Sequence, residues 1–197
     1  MKTIVDEANR HGITVAAHAH GIEGILAAIK AGVTSIEHGS FLNDEAIRLM
    51  NEKGTYLVPT IALQQQIDLK KLPQIIAEKA KIAIESSKIS NVKAVKEGVK
   101  FAFGTDAPIL PHGKNALEFE ALTSIGMTPL NAIQTATINS AQMLDLRDRG
   151  EIKVGLLADI IAVDLNPIKN IQTLENVVFV MKGGIVYKNE TTYHSKS

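Results

Sequence analysis

Three residues of metal-ligand type stand at spaced positions in this 197-residue chain: His18 in VAAHAHG, His38 in SIEHGS and Asp106 in FGTDAP. Each closes a short apolar run and is followed by a helical pattern. Side chains at the C-terminal tips of parallel strands are where barrel and open α/β enzymes keep their chemistry. There is no cysteine, so any transition metal must be held by imidazole and carboxylate. His18, His38 and Asp106 are the candidate metal ligands. His20 lies two residues beyond His18 and faces the same pocket if the strand continues, which sets a substrate contact against a loop position. His112, in LPHGKN, either lines the mouth of that pocket or is a solvated loop residue. Asp106 itself could instead serve a turn between Gly104-Thr105 and Ala107-Pro108. Glu37 adjoins His38 but points the other way on an ideal strand, which assigns it a structural role.

The elements that must position these residues alternate regularly. Residues 3–11 read as a helix, 13–18 as a buried strand, and 21–31 as a helix stopped by Gly32. A strand over 33–38 leads to a helix over 43–53 that Asn43 or Asp44 caps. A third strand covers 55–59 and is broken by Pro59. A polar stretch containing Gln64-Gln65-Gln66 then leads to a long helix over 73–97, with Pro73 suited to its first turn. A fourth strand is expected over 99–106. This β-α-β-α order implies parallel strands joined by right-handed crossovers. Beyond a Pro/Gly loop, helices follow at 115–125 and 128–145, the second with Thr128-Pro129 at its start. From Gly150 the texture is β-rich, with a turn at Gly183-Gly184. The tail over 191–197 is polar and expected to fray.

Composition narrows the function classes. Lys plus Arg and Asp plus Glu both number 21, so no net field favours nucleic acid or an anionic membrane. The N-terminal MKTIVDEANRHG is charged and amphipathic, unlike a signal core, and no apolar run approaches the roughly 20 residues that span a bilayer. A cytoplasmic location is the expectation.

HAHG, IEHG twenty residues later, FGTDAP, and the run TPLNAIQTATINSAQMLDLRDRGEIKVGLLADIIAVDLNP together resemble the amidohydrolase superfamily. The similarity is greatest to its imidazolonepropionase-like and Xaa-Pro dipeptidase (prolidase) branch, and it covers Val5 to about Lys188. The resemblance implies a (β/α)8 TIM-type barrel with a small β-sandwich. It matches His18 to the metal-binding histidine ending strand 5 and His38 to the one ending strand 6. It matches Asp106 to the strand-8 aspartate, which binds metal and shuttles a proton. The implied activity is hydrolysis of an amide, dipeptide or cyclic amide C–N bond by a hydroxide activated on Zn2+ or another divalent metal.

The same resemblance places a His-x-His pair on strand 1 and a lysine on strand 4, upstream of the region matched here. A barrel takes roughly 250 residues. The expectation is therefore an α/β C-terminal half of a barrel, strands 5–8, over residues 1–149, with part of the sandwich over 150–190. Such a chain would hold a two-imidazole partial site with negligible turnover of its own. Its substrate would be a small molecule or dipeptide once the site is completed. Completion would come from a complementary N-terminal half, and self-association into a homo-oligomer is the other way to cover a half-barrel's edges. The alternative reading is a non-catalytic half-barrel or interaction subunit.

Overall fold

The computed structural model of the protein describes residues 1–191. Strands β1 (Ala16–Ala19), β2 (Ser35–His38) and β3 (Tyr56–Val58) form a parallel sheet in that order. Helix α1 (Lys2–Arg10) precedes it, and α2 (Ile22–Ala31) and α3 (Asp44–Lys53) are the crossovers. Helix α2 ends where Gly32 turns left-handed at φ 92°. Helix α3 begins at Asn43, whose side chain accepts the Ala46 amide at 2.9 Å, and carries Asp44 and Glu45 in its first turn. The crossover helices press Ile25, Ile29 and Met50 against Ile36 and Leu57 of the strands, all essentially inaccessible to solvent. This packing anchors the sheet and leaves the strand tips free to carry function.

The expectation of barrel strands 5–8 is corrected here. Strands are present from residue 16 onward, and among the described residues the parallel sheet has three strands and does not close. The fourth strand expected over 99–106 is reduced to a single bridge between Leu57 and Phe101. The backbone explains why. Leu57 accepts the Ala102 amide and donates to Lys100, but β3 ends one residue later at Val58, and Pro59 after it has no amide to give. The next amide, that of Phe103, bonds instead to the Thr135 carbonyl at 3.1 Å and the Ser140 hydroxyl at 3.2 Å. The segment is thus clipped between β3 and the helical region that follows.

That region was expected as one helix over 128–145. It is α7 (Pro129–Gln134), a π-helical turn (Thr135–Asn139) and α8 (Ser140–Met143). The Ser140 hydroxyl takes the Thr135 carbonyl at 2.6 Å, and Asn139 reaches the Phe101 carbonyl, so side chains of the turn replace helical bonds and grip the segment before Asp106. Thr128 caps α7 by accepting the Asn131 amide. The long helix α5 (Gln74–Lys96) forms as expected, with Pro73 just ahead of it rather than inside its first turn. The polar stretch before it holds an unforeseen short helix, α4 (Ile61–Gln65). From residue 160 the chain forms an antiparallel sheet of β4 (Ile160–Val163), β5 (Val177–Lys182) and β6 (Ile185–Asn189) in that order. Residues 150–155, read as β-rich, form no strand. The expectation of a frayed tail falls almost wholly outside the described residues. No helix among the described residues is long and apolar enough to cross a membrane.

Two glycines of the motifs are demanded by close approach to β3. A Cβ on Gly39, which has φ 60°, would lie 2.7 Å from Leu57 Cδ1, and one on Gly104 would lie 2.4 Å from Val58 Cγ1. Both distances are far inside van der Waals contact, so IEHG and FGTD need glycine beside their functional residue. Helix α6 (Leu117–Ser124) contributes Glu118, fully buried, whose two carboxylate oxygens accept the amides of Ile61 at 2.9 Å and Ala62 at 2.7 Å. These are orphan donors of the first turn of α4.

Two outcomes follow from this packing. Gly104→Ala should lower stability by about 1–3 kcal/mol through overpacking against Val58, read as a shift of the urea midpoint; an unmoved midpoint would show that Val58 yields freely. Burial outweighs the two amide donors and raises the Glu118 pKa to about 7 from 4.5. The folded chain therefore holds this proton where the unfolded chain has lost it. Its contribution is complete below about pH 4.5 and is lost as pH rises through 7, by at most about 3 kcal/mol. Urea unfolding of the wild type and Glu118→Gln across that range should show the slope in the wild type alone; parallel curves would contradict the assignment.

Candidate metal centre

Strand alternation brings His18 and His20 to one face of the β1 end. The parallel register pairs His18 with Glu37 and Ala19 with His38. On an ideal strand His38 would face away from His18. It does not, because His38 has φ 70° and its backbone turns left-handed at the end of β2. The ring centroids of His18 and His38 lie 4.6 Å apart, and each is 4.9 Å from that of His20. One ligand atom from each of the three imidazoles lies within 4.8 Å of the other two.

Two hydroxyls orient the rings. Phe41 donates its amide to the His20 carbonyl and Gly39 donates to Ala19, drawing the β2 exit alongside β1. This sets the Ser40 hydroxyl 2.8 Å from His20 Nδ1. The Thr60 hydroxyl lies 2.7 Å from His38 Nδ1. With each Nδ1–H donating to its hydroxyl, both Nε2 atoms are left as lone pairs, which is the tautomer a ligand needs. Thr60 is itself left-handed, at φ 50°, an unusual state for a β-branched residue.

The electrostatics favour neutral imidazoles. Burial, then the neighbouring His20 and His18, hold the His38 pKa below its usual value, and the charge of Asp106 opposes them. Burial and His18 lower that of His20. Three imidazoles that bring a ligand atom each to one point form a donor set for a divalent cation. The described residues at this point therefore fit a divalent metal, and the coarse conclusion of a three-histidine metal-binding cluster stands on this geometry.

The other candidates are placed as follows. Asp106 lies at the exit of the segment paired with β3, with φ 53° and a cis bond between Ala107 and Pro108 just beyond it. Its carbonyl accepts the Ile109 amide at 2.9 Å, so the backbone makes the turn while the carboxylate is exposed and acts electrostatically on His38. The neighbouring Thr105 is buried and accepts a bond from Asn115. His112 is exposed on the following loop and is not a member of the cluster. His20, expected as a substrate contact, is a member. Glu37, to which the sequence assigns a structural role, lies closer to the cluster than that role implies. It shares the face of His18, its Oε1 accepts the Ser35 hydroxyl at 2.6 Å, and burial raises its pKa while Ser35 and His18 pull it down. The signal was available in the spacing, since Glu37 pairs with His18 once the two strands are set in register.

Residues 1–187 match the model of the amidohydrolase family. A Xaa-Pro dipeptidase, solved with methionine bound in its active site, is 45% identical with TM-score 0.89, over 95% of this chain and 48% of that one. Ochratoxinase of Aspergillus niger is 37% identical over 95% of this chain and 41% of its own length. A prolidase solved with N-methylphosphonate-L-proline is 29% identical, TM-score 0.84, over 95% of this chain and 48% of that one. The chain thus spans less than half the length of these relatives. Several expectations are corrected by these findings. The site is not limited to two imidazoles without a His-x-His pair, because His18 and His20 form such a pair at the first strand and close on His38. Negligible turnover had been expected on the two-imidazole count, and that count fails. The expectation of a complementary N-terminal half is set aside on the family match, which takes in residues 1–187. A match that runs from residue 1 to 187, read with three imidazoles gathered at adjoining strand tips, shows that the chain belongs to the amidohydrolase family.

Proposed function

We propose that this chain serves metal-dependent hydrolysis of an amide C–N bond, in a dipeptide or an N-acyl amino acid, at the centre formed by His18, His20 and His38. The convergence of three imidazoles within 4.8 Å carries the reading. Zinc suits the donor set best, since in its catalytic sites it takes three imidazole or carboxylate ligands and keeps an open position. A divalent ion held there supplies Lewis-acid polarisation of the carbonyl and lowers the pKa of water to about 7. The chain's own residues do the rest. Ser40 and Thr60 fix the His20 and His38 rings so that the ligand nitrogens stay aimed. Asp106, exposed beside this group, takes the proton of the attacking water and returns it to the leaving nitrogen. His112, on the loop after Asp106, contacts the substrate. The identities of the dipeptidase, prolidase and ochratoxinase relatives support a substrate of the peptide or N-acyl amino acid class.

Dialysed protein titrated with Zn2+ or Co2+ should bind the ion at this centre, and His18→Ala or His38→Ala should weaken binding at least about 100-fold. Wild-type affinity in both variants would refute the site. In an assay against Xaa-Pro dipeptides and N-acyl amino acids, Asp106→Asn should lower the rate about 100- to 10,000-fold while keeping the imidazole-bound metal. An Asp106→Asn enzyme as fast as the wild type would remove Asp106 from the proton transfer.

A further inference from the structure

Thr60 does two things that its type resists. It takes a left-handed backbone, φ 50° and ψ 49°, and it is buried with its hydroxyl directed to His38 Nδ1 at 2.7 Å. A β-branched residue in that conformation persists only where its surroundings over-determine it. The restraint visible in the structure comes from a distant part of the chain. Immediately after Thr60, the Ile61 and Ala62 amides are both taken by one carboxylate, that of Glu118 on α6, at 2.9 and 2.7 Å. Glu118 is fully buried, with no cation among its hydrogen-bond partners, and on the other side of Thr60 stands Pro59, whose φ is fixed by its ring. A buried acidic group is costly when apolar packing alone would fill the space. Its bidentate grip on one turn of a five-residue helix is what it returns.

We infer that Glu118 is a positioning residue for the metal centre: by clamping the Ile61 and Ala62 amides it holds Thr60 left-handed, and Thr60 in turn fixes the aim of His38 and, through its bond to Nδ1, bears on that ring's tautomer. This rests on the reading of His18, His20 and His38 as a metal site. The chain of contacts runs from α6 through the head of α4 to the tip of β2, joining residues 118, 60–62 and 38. Glutamine at 118 fills the same volume but must turn its NH2 group toward one of the two amides, so one clamp bond is lost and donor faces donor.

The experiment compares wild type, Glu118→Gln and Thr60→Ala at pH 7.5, each checked for folding by circular dichroism. Co2+ titration, followed by its visible absorption, should show at least a 10-fold loss of affinity in both variants. The His38 imidazole signals in 15N NMR of the metal-free protein should change tautomer balance in both, an effect that mere loss of stability does not produce. Folded Glu118→Gln with wild-type Co2+ affinity and an unaltered His38 signal would overturn the inference. If the wild type itself fails to bind Co2+, the metal reading falls, and the His38 tautomer then decides separately whether the clamp acts on that ring. Should Glu118→Gln not fold, the wild type answers through reciprocity: coupling between clamp and site requires Co2+ to slow hydrogen exchange at Ile61 and Ala62. Unchanged protection at those two amides would equally refute the coupling.

Discussion

The structure depends on bringing imidazoles from adjoining strand tips to one point, although strand alternation sends half of the side chains the other way. At β1 the alternation suffices, because His18 and His20 are two residues apart. At β2 it does not, and the chain solves the problem with a left-handed residue at His38. The same device recurs at Thr60, after β3, and at Asp106, after the segment that pairs with β3. Each such residue costs of order 1–3 kcal/mol. Histidine and aspartate accept the conformation more readily than most residues, whereas threonine does not. The most resisted of the three turns is the one braced by a buried carboxylate.

This constraint explains features that otherwise look unrelated. The glycines of IEHG and FGTD let the chain pass within contact of Leu57 and Val58 as it leaves the strand tips. The hydroxyls of Ser40 and Thr60 stand where the turning backbone carries them, each against an Nδ1. The π-helical turn at Thr135–Asn139 secures the Phe101–Phe103 segment in place of a longer β-ladder, which holds the Asp106 turn without a full fourth strand. Preorganisation of this kind lets three rings converge on one point.

Much of this was legible in the sequence because local rules carried it. Gly32 ends its helix, Asn43 and Thr128 begin theirs, and the runs over 13–18, 33–38 and 55–59 read as parallel strands that overlap β1, β2 and β3. The fourth strand failed because its partner is cut short by Pro59 and its amides find acceptors on a helix far along the chain. Helix α4 escaped notice since a five-residue segment has almost no periodicity and depends on Glu118 for its first bonds. His20 and Glu37 were underweighted for a related reason: their standing depends on the register between β1 and β2 and on one residue's backbone sign.

The sequence alone determined which residue types could act, where the strands and crossover helices lie, and the lineage that HAHG, IEHG and FGTD mark in that order. Those are consequences of spacing, capping and side-chain chemistry, which are local. Only the tertiary structure decided that His18, His20 and His38 form one centre and that Glu37 lies on its face. It alone set the Glu118 carboxylate on the two amides that follow Thr60. Each of these depends on a backbone reversal or a contact between residues 20 to 57 positions apart, and no short-range pattern encodes such a contact.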